Sequence, residues 1–287
     1  MDASERLGEG MKYLVLGSSS FYGSNFLKLL RERGEEADGL SREEPDGWRL
    51  GRVIPRADII VNFASRNLVP ESWDHATGYM WTNAAMTTEL IEQVRNMNIL
   101  RFVHVSTPEV YGNTPYAVRE DHPFNPSTPY AASRAAADML LMTYMRSYGM
   151  NAVITRTANI YGVGQPDHRF ISHAFKTLRA GGKLTLDGGG NTMRGWIHVK
   201  DACEATYLLC TKGSPGVYHI APQELLTIHE LASMICEQLG IPRAQRLQTG
   251  PERRGKDLAY IMSTDKLRGL GWCERISLEQ GLSEYGH

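Results

Sequence analysis

Lys12-Tyr13-Leu14-Val15-Leu16-Gly17-Ser18-Ser19-Ser20-Phe21-Tyr22-Gly23 is the stretch on which the reading of this chain turns. Its first five residues have the near-continuous apolar character of a short buried strand. A glycine-framed turn follows. Phe26, Leu27, Leu29 and Leu30 then recur at helical spacing up to Gly34, where a helix readily ends. Gly17 permits a tight turn, and Gly23 permits close approach of helix to strand. The amides at such a helix start suit a diphosphate, and Ser18, Ser19 and Ser20 add hydroxyl groups. By itself the segment also fits an ordinary strand-to-helix turn.

The same alternation continues outward. Strands are expected at Ala57 to Phe63, Arg101 to Ser106 and Ala152 to Arg156, and helices at Thr82 to Met97 and Tyr130 to Tyr148. Strands alternating with helices predict parallel βαβ units and an α/β fold. Beyond Gly162 the pattern loosens. Helices are expected at Phe170 to Ala180, Asp201 to Leu209 and Ile228 to Leu239, with Thr227 as a cap. Val217 to Ile220 reads as a strand returning to the main sheet. With no polar linker, the second half is expected to pack onto the first as a cap.

Whole-chain properties narrow the function. The chain has 287 residues, 42% of them hydrophobic, enough for a sizeable core. A formal net charge of -1 offers no general footprint for nucleic acid. No apolar run reaches the roughly 20 residues of a membrane span. The polar stretch Met1 to Gly10 reads as a mobile extension. Cys203, Cys210, Cys236 and Cys273 match neither a zinc motif nor a disulfide framework, and the composition fits a reducing cytoplasm. The histidines stand beside no acidic partner at metal-ligand spacing, so no metal site is expected.

Chemistry is concentrated in Pro129-Tyr130-Ala131-Ala132-Ser133-Arg134. Residues four apart share one face of a helix. Tyr130 and Arg134 can therefore present a proton acceptor and a cation on the same side. A free phenol ionises at about pH 10, too high for work near neutrality, and a nearby cation favours the phenolate. Upstream lies Ser106-Thr107-Pro108-Glu109-Val110-Tyr111-Gly112.

In this order, these segments resemble the extended short-chain dehydrogenases/reductases of the NAD-dependent epimerase/dehydratase family, and within it the dTDP-glucose 4,6-dehydratase branch. The resemblance covers about Met11 to Leu282. It implies a Rossmann-like parallel sheet flanked by helices, mainly residues 11–160, and a smaller C-terminal substrate-binding domain, mainly residues 161–287, with the return strand at 217–220 in the first. It implies a homodimer, through a four-helix bundle of the helices at Thr82 to Met97 and Tyr130 to Tyr148. Ala131, Ala132, Ala135, Ala136 and Ala137 would permit close approach there, and Leu140, Leu141, Met142 and Met145 would supply apolar surface.

The resemblance also implies roles. Gly17, Ser19, Ser20, Phe21, Tyr22 and Gly23 would hold the dinucleotide, with Ser20 in place of the family's middle glycine. Ala64 and Ser65 would pass close to it, and Asn83 would fix the active-site backbone, although Asn also serves as a helix cap. Ser41 and Arg42 fall where an NAD enzyme usually carries a carboxylate for the ribose. They favour NADP over NAD. Only about 16 positions separate Arg42 from Asp58, shorter than the family's usual spacing.

Thr107 would orient substrate and Tyr130. Tyr130 would be the redox acid/base, and Arg134 stands where the family carries lysine. The branch has Thr-Asp-Glu where this chain has Thr107-Pro108-Glu109. Glu109 remains available as the base at sugar C5, whereas Pro108 cannot be the acid. Asn159, Arg169, Arg194 and Arg253 fall at substrate positions, the arginines suiting a diphosphate. The expected function is a nucleotide-sugar 4,6-dehydratase-like enzyme. A nucleotide-sugar epimerase and an NADPH-dependent keto-sugar reductase are the alternatives.

Overall fold

The computed structural model describes residues 10–41 and 53–286. Arg42, and nine of the ten residues read as an extension, lie outside the described residues. The first half runs β1 (Lys12–Leu16), α1 (Phe21–Glu32), β2 (Glu36–Leu40), β3 (Ile59–Asn62), α2 (Ala76–Tyr79), α3 (Met86–Arg95), β4 (Arg101–Ser106), β5 (Thr114–Val118), α4 (Pro129–Tyr148) and β6 (Ala152–Thr157). The second half runs β7 (Asn159–Tyr161), α5 (Phe170–Arg179), β8 (Leu184–Asp187), β9 (Met193–His198), α6 (Val199–Thr211), β10 (Gly216–Ile220), β11 (Leu225–Thr227), α7 (Ile228–Gln238), α8 (Arg243–Arg246), β12 (Leu247–Gly250), β13 (Tyr260–Met262), α9 (Asp265–Arg268) and α10 (Leu278–Ser283).

Six strands form one parallel sheet in the order β10-β6-β4-β3-β1-β2. Side chains alternate between the faces of a strand. Tyr13, Val15, Ile59 and Val61 pack with Phe26 and Leu30 of α1 and with Ala202 and Leu209 of α6. Leu14, Leu16, Ile60, Phe102 and Ile154 pack on the opposite face with Leu90 and Val94 of α3 and Leu141 of α4. A sheet covered on both faces explains why β1 and β3 read as continuous apolar runs. β10 joins in parallel beside β6 after the chain has already built β7 and β9 elsewhere. A second core forms from Phe175, Leu178, Trp196, Leu231, Ile235 and Leu282.

Local chemistry sets the helix ends. Thr128 accepts from the Ala131 amide at 3.1 Å, Pro129 occupies the first turn of α4, and Gly149 ends it at φ 62°. Between α2 and α3, Met80–Ala85 widens into a π-helical turn. Asn83 therefore lies inside a continuous helical stretch, not at a helix start.

The proposed pairing face also needs redrawing. Ala131, Ala135, Ala137 and Leu141 are buried within the chain itself. Leu141 packs in the core beneath the sheet and Ala135 against Val110, Tyr111 and Val118, so neither side chain reaches the surface. Ala132 and Ala136 are half-buried and Met139 is exposed. This row, with exposed Met80 and Trp81, forms the outward face.

Candidate active site

The glycine turn is dictated by sterics at both ends. Gly17 has φ 76°, and a Cβ there would lie 2.7 Å from the Ala64 amide nitrogen. A Cβ on Gly23 would lie 2.3 Å from the Gly17 carbonyl oxygen. Ser20 sits at φ -70°, where a side chain is unstrained, and its Oγ accepts from the Gly23 amide at 3.1 Å. Ser20 thus becomes the cap of α1. Ser19 and Phe21 line a cavity of about 270 Å³ with Ser24, Asn25 and residues 163, 164 and 166 of the loop after β7. The Tyr22 side chain is not part of this cavity lining. It turns into the α1–α6 packing, where the hydroxyl donates to the Ala202 carbonyl at 2.9 Å and meets Thr206 Oγ1 at 2.8 Å.

Ser41 is exposed at the end of edge strand β2. The two carboxylates of that strand, Glu36 and Asp38, lie 2.9 and 3.3 Å from Lys12 Nζ in a surface ion pair. Ala64 and Ser65 follow β3 and are half-buried. The Ala64 amide donates to Asn62 Oδ1 at 3.0 Å. Asn83 is fully buried and ties three things together. Its Oδ1 accepts from the Arg66 amide at 2.8 Å, and its Nδ2 donates to the Arg66 carbonyl at 3.0 Å and to Ser133 Oγ at 2.9 Å. One side chain thereby locks the loop after β3 to α4.

Thr107 caps the single 3₁₀ turn Pro108–Tyr111 by accepting from the Glu109 amide at 3.3 Å. Proline suits the first position of such a turn, where its missing N–H has no partner to lose. Pro108 therefore fits the backbone of this turn, and its side chain has no proton to give. The Thr107 hydroxyl faces the phenol of Tyr130, the second residue of α4. Tyr130 is 8% exposed, with Tyr79 edge-on to its ring. Burial and the neighbouring Glu109 carboxylate raise its pKa, against the downward pull of Arg134, Thr107 and Arg169. The expected influence of Arg134 is present, and burial outweighs it.

Arg134 is 1% exposed. Its Nη2 donates to the Val105 carbonyl and lies 3.1 Å from His104 Nε2. Its Nη1 is buried with no protein partner. A buried guanidinium N–H beside Tyr130 fits a ligand hydroxyl, as the family's lysine position requires. Together with the Gly17 turn and the capped α1, these residues fit a dinucleotide.

Glu109 keeps part of its surface open but sits deep in the protein, and burial pushes its pKa up to about 7. Arg194, Arg169 and Arg253 all pull it down, while Asp257 pushes it up. The three arginines read from separate segments therefore act on one carboxylate. Arg194 lies over the Tyr260 ring at 4.2 Å and donates to the carbonyls of Met193 and Asp257, each at 2.8 Å. Arg169 precedes α5 and is half-buried. Arg253 Nε is 2.5 Å from Asp187 Oδ2. Asn159 is exposed at the start of β7.

A buried polar network was not anticipated. His104, Arg156 and His219 project from β4, β6 and β10, and Asp138 lies on α4; all are fully buried. Asp138 Oδ2 accepts from Arg156 Nε at 3.0 Å. Arg156 Nη1 donates to the Tyr111 hydroxyl, which contacts His219 Nε2 at 2.6 Å. The sequence marks two of its members singly, though not their pairing. Asp138 continues the spacing of four from Tyr130 and Arg134, and Arg156 is a charge in an otherwise uncharged strand segment. Among the described residues no cluster of three or more His, Cys, Asp or Glu is arranged to hold a metal, and no helix is long and apolar enough to cross a membrane.

This combination of sheet, turn and Tyr-Arg helix places the molecule among dinucleotide-dependent short-chain enzymes in architecture. The chain belongs to the NAD dependent epimerase/dehydratase family, which matches residues 13–221. It is 37% identical over 235 residues to a dTDP-glucose 4,6-dehydratase of Streptomyces niveus, covering 81% of this chain and 70% of that protein. The crystal structure of the dTDP-glucose 4,6-dehydratase DesIV from Streptomyces venezuelae, with NAD bound, superposes with a TM-score of 0.87 at 29% identity, covering 96% of this chain and 97% of that one. The UDP-glucose 4-epimerase of Thermus thermophilus, in complex with NAD, gives 0.86 at 25% identity, covering 96% and 99%.

Proposed function

We propose that this chain is a nucleotide-sugar 4,6-dehydratase-like enzyme that oxidises the sugar transiently at C4. The observation that carries the reading is the meeting of two groups, Tyr130 with its Thr107 and Arg134 neighbours, and Glu109 within the field of three arginines. The dinucleotide, when bound, supplies the acceptor for hydride and returns it later.

Tyr130 Oη, as phenolate, takes the proton of the C4 hydroxyl. Arg134 stabilises that negative charge, and Thr107 orients the hydroxyl. The resulting ketone acidifies the proton on C5. Glu109 removes it, the carboxylate form being available above about pH 7. Arg169, Arg194 and Arg253 hold the diphosphate, and Asn159 contacts the sugar or diphosphate. Dehydration next requires a proton for the departing C6 hydroxyl, and Pro108 has none to give. That absence favours a second reading, epimerisation, in which Glu109 enolises the keto sugar and no water leaves.

The cofactor is NAD or NADP. The solved relatives carry NAD, while Ser41 and Arg42 favour NADP. Side-by-side titration of both dinucleotides decides between them. The protein acts in the cytoplasm as a homodimer through the outward faces of α3 and α4. Light scattering should report twice the chain mass, and a concentration-independent monomer contradicts this assembly.

The reaction is tested with a panel of nucleotide sugars. Loss of one water from the product with no net consumption of dinucleotide is the expected result. A product of unchanged mass identifies the epimerase, and steady consumption of reduced cofactor identifies a reductase.

A further inference from the structure

Tyr130, Arg134 and Asp138 stand four residues apart on one face of α4. An arginine and an aspartate at that spacing ordinarily pair. Such a pair would cancel the positive charge that the phenolate of Tyr130 needs. In the structure no hydrogen bond joins them, although Arg134 still acts on Asp138 through space. Asp138 Oδ2 accepts from Arg156 Nε of β6 at 3.0 Å, while Arg134 is held by neutral acceptors, the Val105 carbonyl and His104 Nε2. Burial and the adjacent Arg134 keep His104 uncharged.

The far side of Arg156 is neutral as well. Its guanidinium lies 4.5 Å from the Tyr111 ring centroid and 4.8 Å from that of Phe124, and Nη1 donates to the Tyr111 hydroxyl and to the Glu120 carbonyl. Tyr111 can donate in turn to His219 Nε2, because His219 Nδ1 faces the Ser263 carbonyl at 2.9 Å. Burial keeps His219 uncharged. The Glu120 carboxylate lies beyond it, 4.0 Å from His219. Two buried cations thus share one buried carboxylate, in a region 0–1% exposed, where charges act on each other with little screening.

We infer, resting on the acid–base role proposed for Tyr130, that Arg156 is a positioning residue: by taking the hydrogen bond of Asp138 and offsetting its charge, it leaves more of the charge of Arg134 to act on Tyr130. The other groups facing Tyr130 are Glu109, Thr107 and Arg169, and those facing Asp138 are Arg134 itself, His104 and Ser106. None of these replaces the Arg156 contact.

The test is a charge-balance series. The Tyr130 midpoint is followed by NMR of ring-labelled tyrosine, with Tyr130→Phe assigning the resonance, and separately by the pH dependence of kcat/KM. Arg156→Gln should move the Tyr130 midpoint upward by about one unit, equivalent to about tenfold less phenolate at a given pH. The KM for the sugar nucleotide should stay unchanged. Adding Asp138→Asn should restore the wild-type midpoint, and Arg156→Lys should keep it. The double variant removes both buried charges, so it guards against simple failure of the single variant to fold. An unmoved midpoint in Arg156→Gln, or a double variant no better than the single one, overturns the inference. Because the NMR midpoint needs neither substrate nor turnover, an error in the proposed reaction shows separately, as absence of activity in the wild type.

Discussion

Arg134 and Arg253 carry the same charge in different surroundings. Arg134 is 1% exposed and bonded to a backbone carbonyl and an imidazole. The Arg253 side chain is 55% exposed and paired with Asp187 at 2.5 Å. A buried cation is screened less by water and salt than an exposed one and acts more strongly on whatever lies beside it. An exposed ion pair is worth little, about 0 to 1 kcal/mol, so its arginine can exchange a carboxylate for a phosphate at small cost. On the proposed reading, the redox corner is thus built in advance, whereas the diphosphate side is ready to change partners. Substitutions in the first should reduce kcat, and substitutions in the second should raise KM.

The largest effect is expected at Tyr130. Tyr130→Phe removes the phenolate and should lower kcat by about 10² to 10⁴-fold, the usual range for a positioned acid/base group. Steady-state kinetics check this, and a change confined to KM breaks the contrast. Next comes the pH dependence of the Glu109 step. With a pKa of about 7, Glu109 is a base only when deprotonated. The deprotonation step at C5 should therefore lose about tenfold per unit below that pH. Single-turnover profiles measured from pH 5 to pH 9 would sharpen this, provided oxidation at C4 is followed separately.

On the diphosphate side, Arg253→Ala should raise KM roughly tenfold, about 1.4 kcal/mol of binding, with kcat nearly unchanged. A large fall in kcat would mean that Arg253 belongs to the built-in corner. The smallest effect concerns stability. Glu109 has a raised folded pKa, so its ionisation costs stability as pH climbs from about 4.5, its unfolded value, to about 7, and the cost is constant above that. Glu109→Gln should raise the Tm at pH 8 and lose that advantage near pH 4. The gain is bounded at about 3 kcal/mol by the size of the shift, and is smaller because Glu109 retains contact with water.

The same contrast explains what could be read from the chain alone. The sheet was legible because strands covered on both faces must be apolar throughout, as Leu14, Val15 and Leu16 are. Gly17 and Gly23 were legible because their close contacts exclude a side chain. Tyr130 and Arg134 were legible because helix spacing alone puts them together. The Asp138–Arg156 pair was not, since it depends on α4 crossing β6, and no local pattern encodes that crossing. The direction of the Tyr22 side chain was hidden for a related reason. Position in the turn suggested the cofactor, but the facing α6 offered the Ala202 carbonyl as a hydrogen-bond acceptor. The arginines were legible singly, and their shared action on Glu109 required the fold.

Exchange at sugar C5 in deuterated water separates the two acid/base groups within the site. With the wild-type protein and its nucleotide sugar, turnover should place solvent deuterium at C5. Glu109→Gln should abolish that exchange while oxidation at C4 persists, because the base is lost and the phenolate is not. Tyr130→Phe should abolish both, because no ketone forms to acidify C5. Intact exchange in Glu109→Gln would contradict the assignment of Glu109 as the base, and with it the proposed division of labour between Tyr130 and Glu109.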